Sequence, residues 1–309
     1  MCRFPRLCVA VASLCAALVL LVPSNVRCQS PDSVLTKLDE GYLDSLASQA
    51  VQKIREASLD EKVPKVLVID FFRKSPGNSS RLGTLLADRF SESLSAYANG
   101  LDILNRKIFI DYMTQNYTTL EDLQSNDICL AVARQLGATG VIIGTLSEEK
   151  GQLSLTIRLG GFGLRAKGKD IYPVSQEKAI FPFADDKRSM FLQPGPNFAR
   201  TVNDIPAEPG VVAFNPKNSA GVKMPSCTNC PPPDYVNAAR AAKFQGTVLL
   251  SVVITEQGRV TSIYVLKGAP FGLTAKAIEA VQHWSLRPGE KDGKPSAVRI
   301  QVEVTFHLY

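Results

Sequence analysis

The sequence predicts an α+β protein of two domains: an N-terminal α/β domain and a C-terminal three-stranded antiparallel sheet packed on two helices. Three observations predict it. Over residues 62–182, short apolar runs alternate with helix-period apolar stripes. Over residues 233–309, two strand patterns, a helix pattern and a third strand pattern follow at close spacing. Between these stretches the composition changes, because eleven of the nineteen prolines fall between Pro173 and Pro233. The chain of 309 residues, 45% hydrophobic and 21% charged, is globular in composition and long enough for two cores.

Residues 1–30 read as a signal peptide or an anchor. Arg3 and Arg6 form a basic start, Leu7 to Val22 is an apolar run, and Pro23-Ser24-Asn25 breaks it before Val26-Arg27-Cys28. The run is short of the roughly 20 residues of a membrane span, so a cleaved export signal is expected, with an uncleaved inner-membrane anchor as the alternative. Arg27 sits where a lipidated cysteine would want a small residue before it, which weighs against a lipid on Cys28. The net charge is +6, and Arg3, Arg6 and Arg27 supply half of it. What remains gives no ground for a nucleic-acid partner.

Residues 33–60 form an amphipathic helix with Leu35, Leu38, Tyr42, Leu46, Ala50 and Ile54 on one stripe. The N-terminal domain then spans 62–182. Lys65–Phe72 is a buried strand, Arg81–Ala98 a helix stopped by Asn99-Gly100, and Leu101–Leu104 a second strand. Ile108–Met113 and Ile128–Leu136 are helices. Val141–Leu146 and Leu153–Leu159 are strands joined through Glu148-Glu149-Lys150-Gly151, a hairpin. Asp70 lies at a strand end with Asp88 and Asp102 within conceivable reach, but Asp also ends strands and caps helices. No Gly-rich phosphate loop follows the first strand, and only His283 and His307 carry imidazole. The chain is therefore expected not to be an enzyme and to hold no cofactor or metal. The pattern Ala133-x-x-Leu136-Gly137-Ala138-x-x-Val141-Ile142-x-Gly144-x-Leu146, with the strand ending in Asp70-Phe71, resembles the FlgO, CsgG and TolB N-terminal group of envelope domains over about 62–160. That resemblance implies an envelope scaffold or assembly domain without catalytic residues.

Residues 183–232 read as a proline-rich tether that packs intermittently, carrying Cys227-Thr-Asn-Cys230. In an exported protein this pair is expected to be a disulfide that fixes a local turn. A redox pair and a zinc half-site are the alternatives, although no second cysteine pair is visible and prolines follow Cys230. Cys129, in an apolar helical stretch, reads as a core residue.

In the C-terminal domain, 233–309, Asp234 is expected to cap a helix running to Phe244, and Thr274 a second helix ending before Pro288. Gly246–Thr255 and Arg259–Leu266 form a hairpin around Glu256-Gln257-Gly258. A change of phase after Val260 predicts a bulge near Thr261-Ser262. The last strand, Ala297–Tyr309, alternates apolar and polar residues almost without fault. A helix between the second and third strands makes those two parallel, so an antiparallel sheet places the first strand in the middle and the last on an edge. Such an edge can accept an added strand, or it can be merely exposed or covered by a second copy.

These residues, Pro233-x-Tyr235, Gly246-Thr-Val248, Gly258-Arg-Val260, Ala277, Trp284, Pro288, Gly293-Lys-Pro295 and Val302-x-Val304-x-Phe306, resemble the TonB C-terminal domain of energy transducers over 225–309. The resemblance implies a periplasmic module that grips a peptide of an outer-membrane receptor by strand addition. On this analogy the partner-binding residues are Tyr235 and Val298, Arg299, Ile300, Gln301, Val302, Glu303, Val304, Thr305 and Phe306. An energy transducer also needs an uncleaved leader that docks on an inner-membrane motor complex, usually through a Ser/His pair; this leader has Ser13 and no histidine. The expected function is a TonB-like protein of the periplasm or cell envelope that binds outer-membrane or other envelope partners, with energy-coupled transport if the leader is retained. The alternative is an exported assembly scaffold in which the C-terminal domain only docks or forms a homo-oligomer.

Overall fold

The computed structural model describes residues 34–57, 63–74, 78–161, 171–173, 179–214 and 220–308. The signal peptide or anchor expected at 1–30 lies outside the described residues. The N-terminal half contains α1 (Lys37–Ala57), β1 (Lys65–Val68), β2 (Phe72–Arg73), α2 (Arg81–Ala96), β3 (Asp102–Ile103), α3 (Lys107–Gln115) and α4 (Asn126–Gln135). It continues through β4 (Gly140–Glu149), β5 (Gln152–Gly161), β6 (Ile171–Pro173) and β7 (Ala179–Pro182). These strands make one mixed sheet in the order β3-β1-β4-β5-β6, with β2 beside β4 and β7 beside β5. β1 runs parallel to β3 and β4, while β4 and β5 form the expected hairpin, paired from Gly140↔Gly161 to Glu149↔Gln152.

Helices cover both faces of this sheet. On one side α1 and α2 bury Leu43, Ile54, Leu86 and Phe90 against Val66, Val68 and Ile142. α2 starts on Ser80, whose Oγ accepts the Gly83 N–H at 3.1 Å, a side-chain cap of the ordinary kind. On the other side α3 and α4 bury Phe109, Met113, Ile128 and Val132 against Leu67, Ile69, Val141 and Ile143. Cys129 is fully buried there, as expected of a core thiol, and burial raises its pKa.

The chain then carries α5 (Asp185–Leu192), β8 (Val212–Ala213), β9 (Val222–Lys223) and β10 (Ser226–Asn229). α5 is tied back to α1 by a buried ion pair: Lys187 Nζ lies 2.6 Å from Asp39 Oδ2, with side chains 3% and 0% exposed. The C-terminal half adds α6 (Asn237–Ala241), β11 (Gly246–Ile254), β12 (Val260–Lys267) and α7 (Leu273–Gln282). It ends with β13 (Ser285–Arg287), β14 (Gly289–Lys291), β15 (Lys294–Ser296) and β16 (Val298–Phe306).

The principal C-terminal sheet has four strands in the order β12-β11-β16-β8, not the three the sequence predicts. β11 is central as expected, and the fourth strand comes from the proline-rich segment. The predicted bulge is present: Ser251 faces Tyr264 and Val253 faces Thr261, with Ser262 at φ +46° between them. Gly258 turns the β11–β12 hairpin at φ +76°, where a Cβ would also meet the Leu286 carbonyl oxygen at 1.8 Å. Two capping expectations fail. α6 begins after Val236 without a side-chain cap and stops at Ala241, so Asp234 caps nothing. α7 begins after Gly272, and Thr274 turns its hydroxyl to Ala269 instead, accepting the N–H at 2.8 Å. Both positions answer to tertiary contacts ahead of local preference.

The two halves share a core. The α3–α4 side of the first sheet is continuous with Phe244, Phe271, Leu273 and Phe306 of the second. Polar contacts cross the same junction. Gly268 N–H donates to Tyr117 O at 2.8 Å, Phe271 N–H to Tyr112 Oη at 2.9 Å, and Gln124 Nε2 to Gln245 O at 3.1 Å. Lys267 Nζ lies 3.0 Å from Asp122. Among the described residues, no helix is long and apolar enough to cross a membrane.

Candidate functional site: the open edge of the last strand

β16 pairs with β11 over nine residues, from Gly246↔Phe306 to Ile254↔Val298. Alternation sends Val298, Ile300, Val304 and Phe306 into the core, leaves Val302 half-buried, and exposes Gln301, Glu303 and Thr305. On its far side, among the described residues, β16 meets only β8, parallel, at Val298↔Val212 and Arg299↔Ala213. Val212 N–H donates to Ala297 O at 2.9 Å and Phe214 N–H to Arg299 O at 3.0 Å. Carbonyls 297 and 299 therefore point away from β11. Successive strand residues alternate in this respect, so the N–H and C=O groups of Gln301, Glu303 and Thr305 point the same way. Among the described residues no strand lies beside them. Among the described residues β16 thus has no strand beside Gln301 to Phe306 and is covered by β8 over Val298 and Arg299, which corrects the expectation of a wholly uncovered strand.

The other expected partner-binding residues have definite places. Tyr235 stacks edge-on against Phe306 (centroids 5.8 Å apart, planes at 89°), donates its hydroxyl to Phe244 O, and lies under Arg240. Its phenol titrates above the ordinary tyrosine value because of burial, opposed by Arg240. Tyr235 thus buttresses the end of the open edge. Arg299 sits at the covered end. Its Nη2 lies 2.6 Å from Glu208 Oε1, its guanidinium lies 5.3 Å from the Tyr264 ring, and Glu208 also accepts the Ser262 hydroxyl at 2.9 Å. Sequence reasoning assigned no role to Glu208 or to Val212–Phe214, because two paired residues among prolines leave no periodic signal.

Cys227, in β10, and Cys230, just beyond its end, form the expected disulfide, and β10 pairs with β13. Beside it, Trp284 Nε1–H donates to Pro231 O at 3.0 Å, fastening the entry of the C-terminal half to the end of α7. The carboxylates near the first sheet are structurally spoken for. Arg106 bridges Asp70 and Asp88, each at 2.6 Å, and bonds Val68 O at 2.9 Å; Thr84 donates to Asp70 at 2.7 Å. Asp102 is exposed on β3 and has no place in that network. Among the described residues no group of three or more His, Cys, Asp or Glu could hold a metal ion.

The C-terminal half is similar to known proteins. Protein TonB of Xanthomonas campestris pv. campestris is 34% identical over 84 residues, which are 27% of this chain and 38% of that protein. The chain thus covers well under half of those relatives' length. Among solved structures, the Pseudomonas aeruginosa TonB C-terminal domain aligns with 30% of this chain and 93% of that one, at 23% identity and a TM-score of 0.22. The LpoB C-terminal domain from Salmonella enterica aligns with 45% of this chain and 97% of that one, at 15% identity and a TM-score of 0.34. At such scores neither alignment carries function. The family model that matches is that of the Gram-negative bacterial TonB protein C-terminal, over residues 231–308, and this part of the chain is a TonB-type C-terminal domain.

Proposed function

We propose that the protein works in the cell envelope by taking up an extended segment of an outer-membrane or other envelope protein along β16, between Gln301 and Phe306. The observation that carries this is the row of outward N–H and C=O groups at Gln301, Glu303 and Thr305 with no neighbouring strand among the described residues. Main-chain pairing at about 1 kcal/mol per bond barely meets an association cost of at least about 4 kcal/mol. Side chains must therefore set the specificity. Glu303, exposed and outside every ion pair of the described residues, favours a partner with a cationic side chain at that rung.

The test is site-specific photo-crosslinking of the full chain in its native envelope. Crosslinkers at Gln301, Glu303 and Thr305 should capture one and the same peptide segment of a partner, while one at the exposed Glu279 on α7 should not. Capture of the chain itself at all three positions would instead support the scaffold reading. That reading draws on the shared core and the hydrogen bonds joining the two halves. Energy-coupled transport belongs to the proposal only if residues 1–30 are retained. N-terminal sequencing of the mature protein decides this, because a chain starting at Gln29 or Ser30 has nothing left to dock on a motor.

A further inference from the structure

The segment before the C-terminal domain is bound to it rung by rung. β8 pairs with β16, β9 with β14 and β10 with β13, and the Cys227–Cys230 disulfide closes the end of the last of these. Its first contact is of a different kind from the others, because β8 lies on the very edge assigned above to a partner. It takes up two rungs, in parallel orientation. It is lightly held: Ala213 is exposed, and Val212 and Phe214 are only half-buried. Besides its backbone hydrogen bonds, Val212 and Phe214 pack on the shared core, Arg299 Nη2 donates to Pro206 O at 3.4 Å, and Glu208 meets both Arg299 and Ser262.

We infer that Glu208–Phe214 is a displaceable strand in cis, a stand-in for the partner, which must leave before a segment longer than the open rungs can pair with the whole of β16. This rests on the reading of β16 as a strand-accepting edge. Three features favour a stand-in over a fixed structural strand. The pairing is short, and isolated two-residue strands contribute little stability of their own. Pro206 and Pro209 flank Glu208 and keep the approach to β8 from pairing further. The polar clasp also uses a group the partner would need. Arg299 is only 13% exposed, and one of its guanidinium nitrogens, Nη1, is buried with no bond among the described residues. Removing Glu208 without replacement would leave that cation half-buried and unpaired. The displacing segment is therefore an extended strand that runs parallel to β16 and brings its own carboxylate to Arg299 and Ser262. A tethered strand acts at an effective concentration of about millimolar, so it excludes weak competitors and yields to a segment that also gains the open rungs.

The experiment uses the full chain and its Glu208→Gln/Val212→Pro variant, which loses the clasp and the N–H given to Ala297. The probe is a fluorescein-labelled synthetic peptide of residues 206–214. Unchanged Trp284 emission reports that the sheet remains folded. Two readouts are taken. Amide exchange at Arg299 should rise by at least about tenfold in the variant, towards that of Gln301, Glu303 and Thr305, while Ile300 and Val304 stay slow. The peptide should bind the variant at least about tenfold more tightly than the native chain, because its tethered copy is gone. No rise in Arg299 exchange overturns the inference and leaves the open-edge reading standing. A rise with equal peptide affinities also overturns it, since strap and added strand would then not compete. A rise with no peptide binding to either protein refutes the strand-accepting edge itself, and the inference with it.

Discussion

Replacing Gly268 by alanine should loosen the junction between the two halves without unfolding either. Gly268 follows β12, and a Cβ there would lie 1.7 Å from the Asn116 carbonyl oxygen and 2.6 Å from Thr274 Oγ1. Real Cβ contacts essentially never fall under 3.0 Å, so one backbone must retreat by more than 1 Å. That movement removes the Gly268-to-Tyr117 bond, stretches Phe271-to-Tyr112, and pulls Lys267 from Asp122. Two neutral hydrogen bonds at about 1 kcal/mol each and a partly exposed ion pair at under about 1 kcal/mol give a loss of about 2–3 kcal/mol. Urea unfolding followed by two probes reads it. Trp284, the one tryptophan, reports the C-terminal half, and far-UV circular dichroism reports both. The two curves should coincide in the native chain and separate in the variant, with the tryptophan curve at lower urea. Gly41→Ala serves as the control, because nothing lies within 4 Å of that Cβ. Coincident, unshifted curves for Gly268→Ala would refute the claim that this junction couples the halves.

Three other outcomes follow from the same geometry. Burial raises the Tyr112 pKa, opposed by the Phe271 N–H; a raised folded value means stability present below the unfolded pKa near 10 and lost as pH climbs through the folded one, so unfolding in urea above about pH 10 should ease and Tyr112→Phe should flatten that dependence. Lys187→Met should cost about 3–5 kcal/mol by stranding the buried Asp39 carboxylate, and adding Asp39→Leu should recover much of it in a double-mutant cycle read by denaturation. Phe306→Ala should cost about 3–5 kcal/mol, since that ring is 2% exposed against Tyr235, whereas Thr305→Ala on the opposite face should stay within about 0.5 kcal/mol in the same urea assay.

How far the sequence could be read depended on whether a feature repeated. Val298 to Phe306 alternates for nine residues, and the structure buries and exposes it in that phase. The β11–β12 turn was legible from Gly258, and the bulge from the broken phase at Thr261-Ser262, because both leave a mark within a few residues. The cysteine spacing likewise gave the disulfide. β8 left no such mark: two residues cannot show a period, and their partner lies some 86 positions away in the chain. The caps at Asp234 and Thr274 were misread for the opposite reason. The local signal was present, but Thr274 bonds Ala269 and Asp234 precedes a helix that starts three residues later. The contacts of Tyr112 and Tyr117 with Phe271 and Gly268 bridge more than 150 residues, and no local pattern announces them. The last strand and its alternation were therefore legible, and the length of it that has no strand alongside among the described residues was not.

The open edge itself can be read amide by amide by hydrogen exchange on the full, unliganded chain. If β16 is free from Gln301 to Phe306, the amides of Gln301, Glu303 and Thr305 exchange fast, while those of Ile300, Val302, Val304 and Phe306, turned towards β11, exchange slowly. Arg299, under β8, breaks the alternation by being slow. Uniform protection from Gln301 through Phe306 would mean that something already covers the edge, and would contradict its assignment as the place where a partner strand is added.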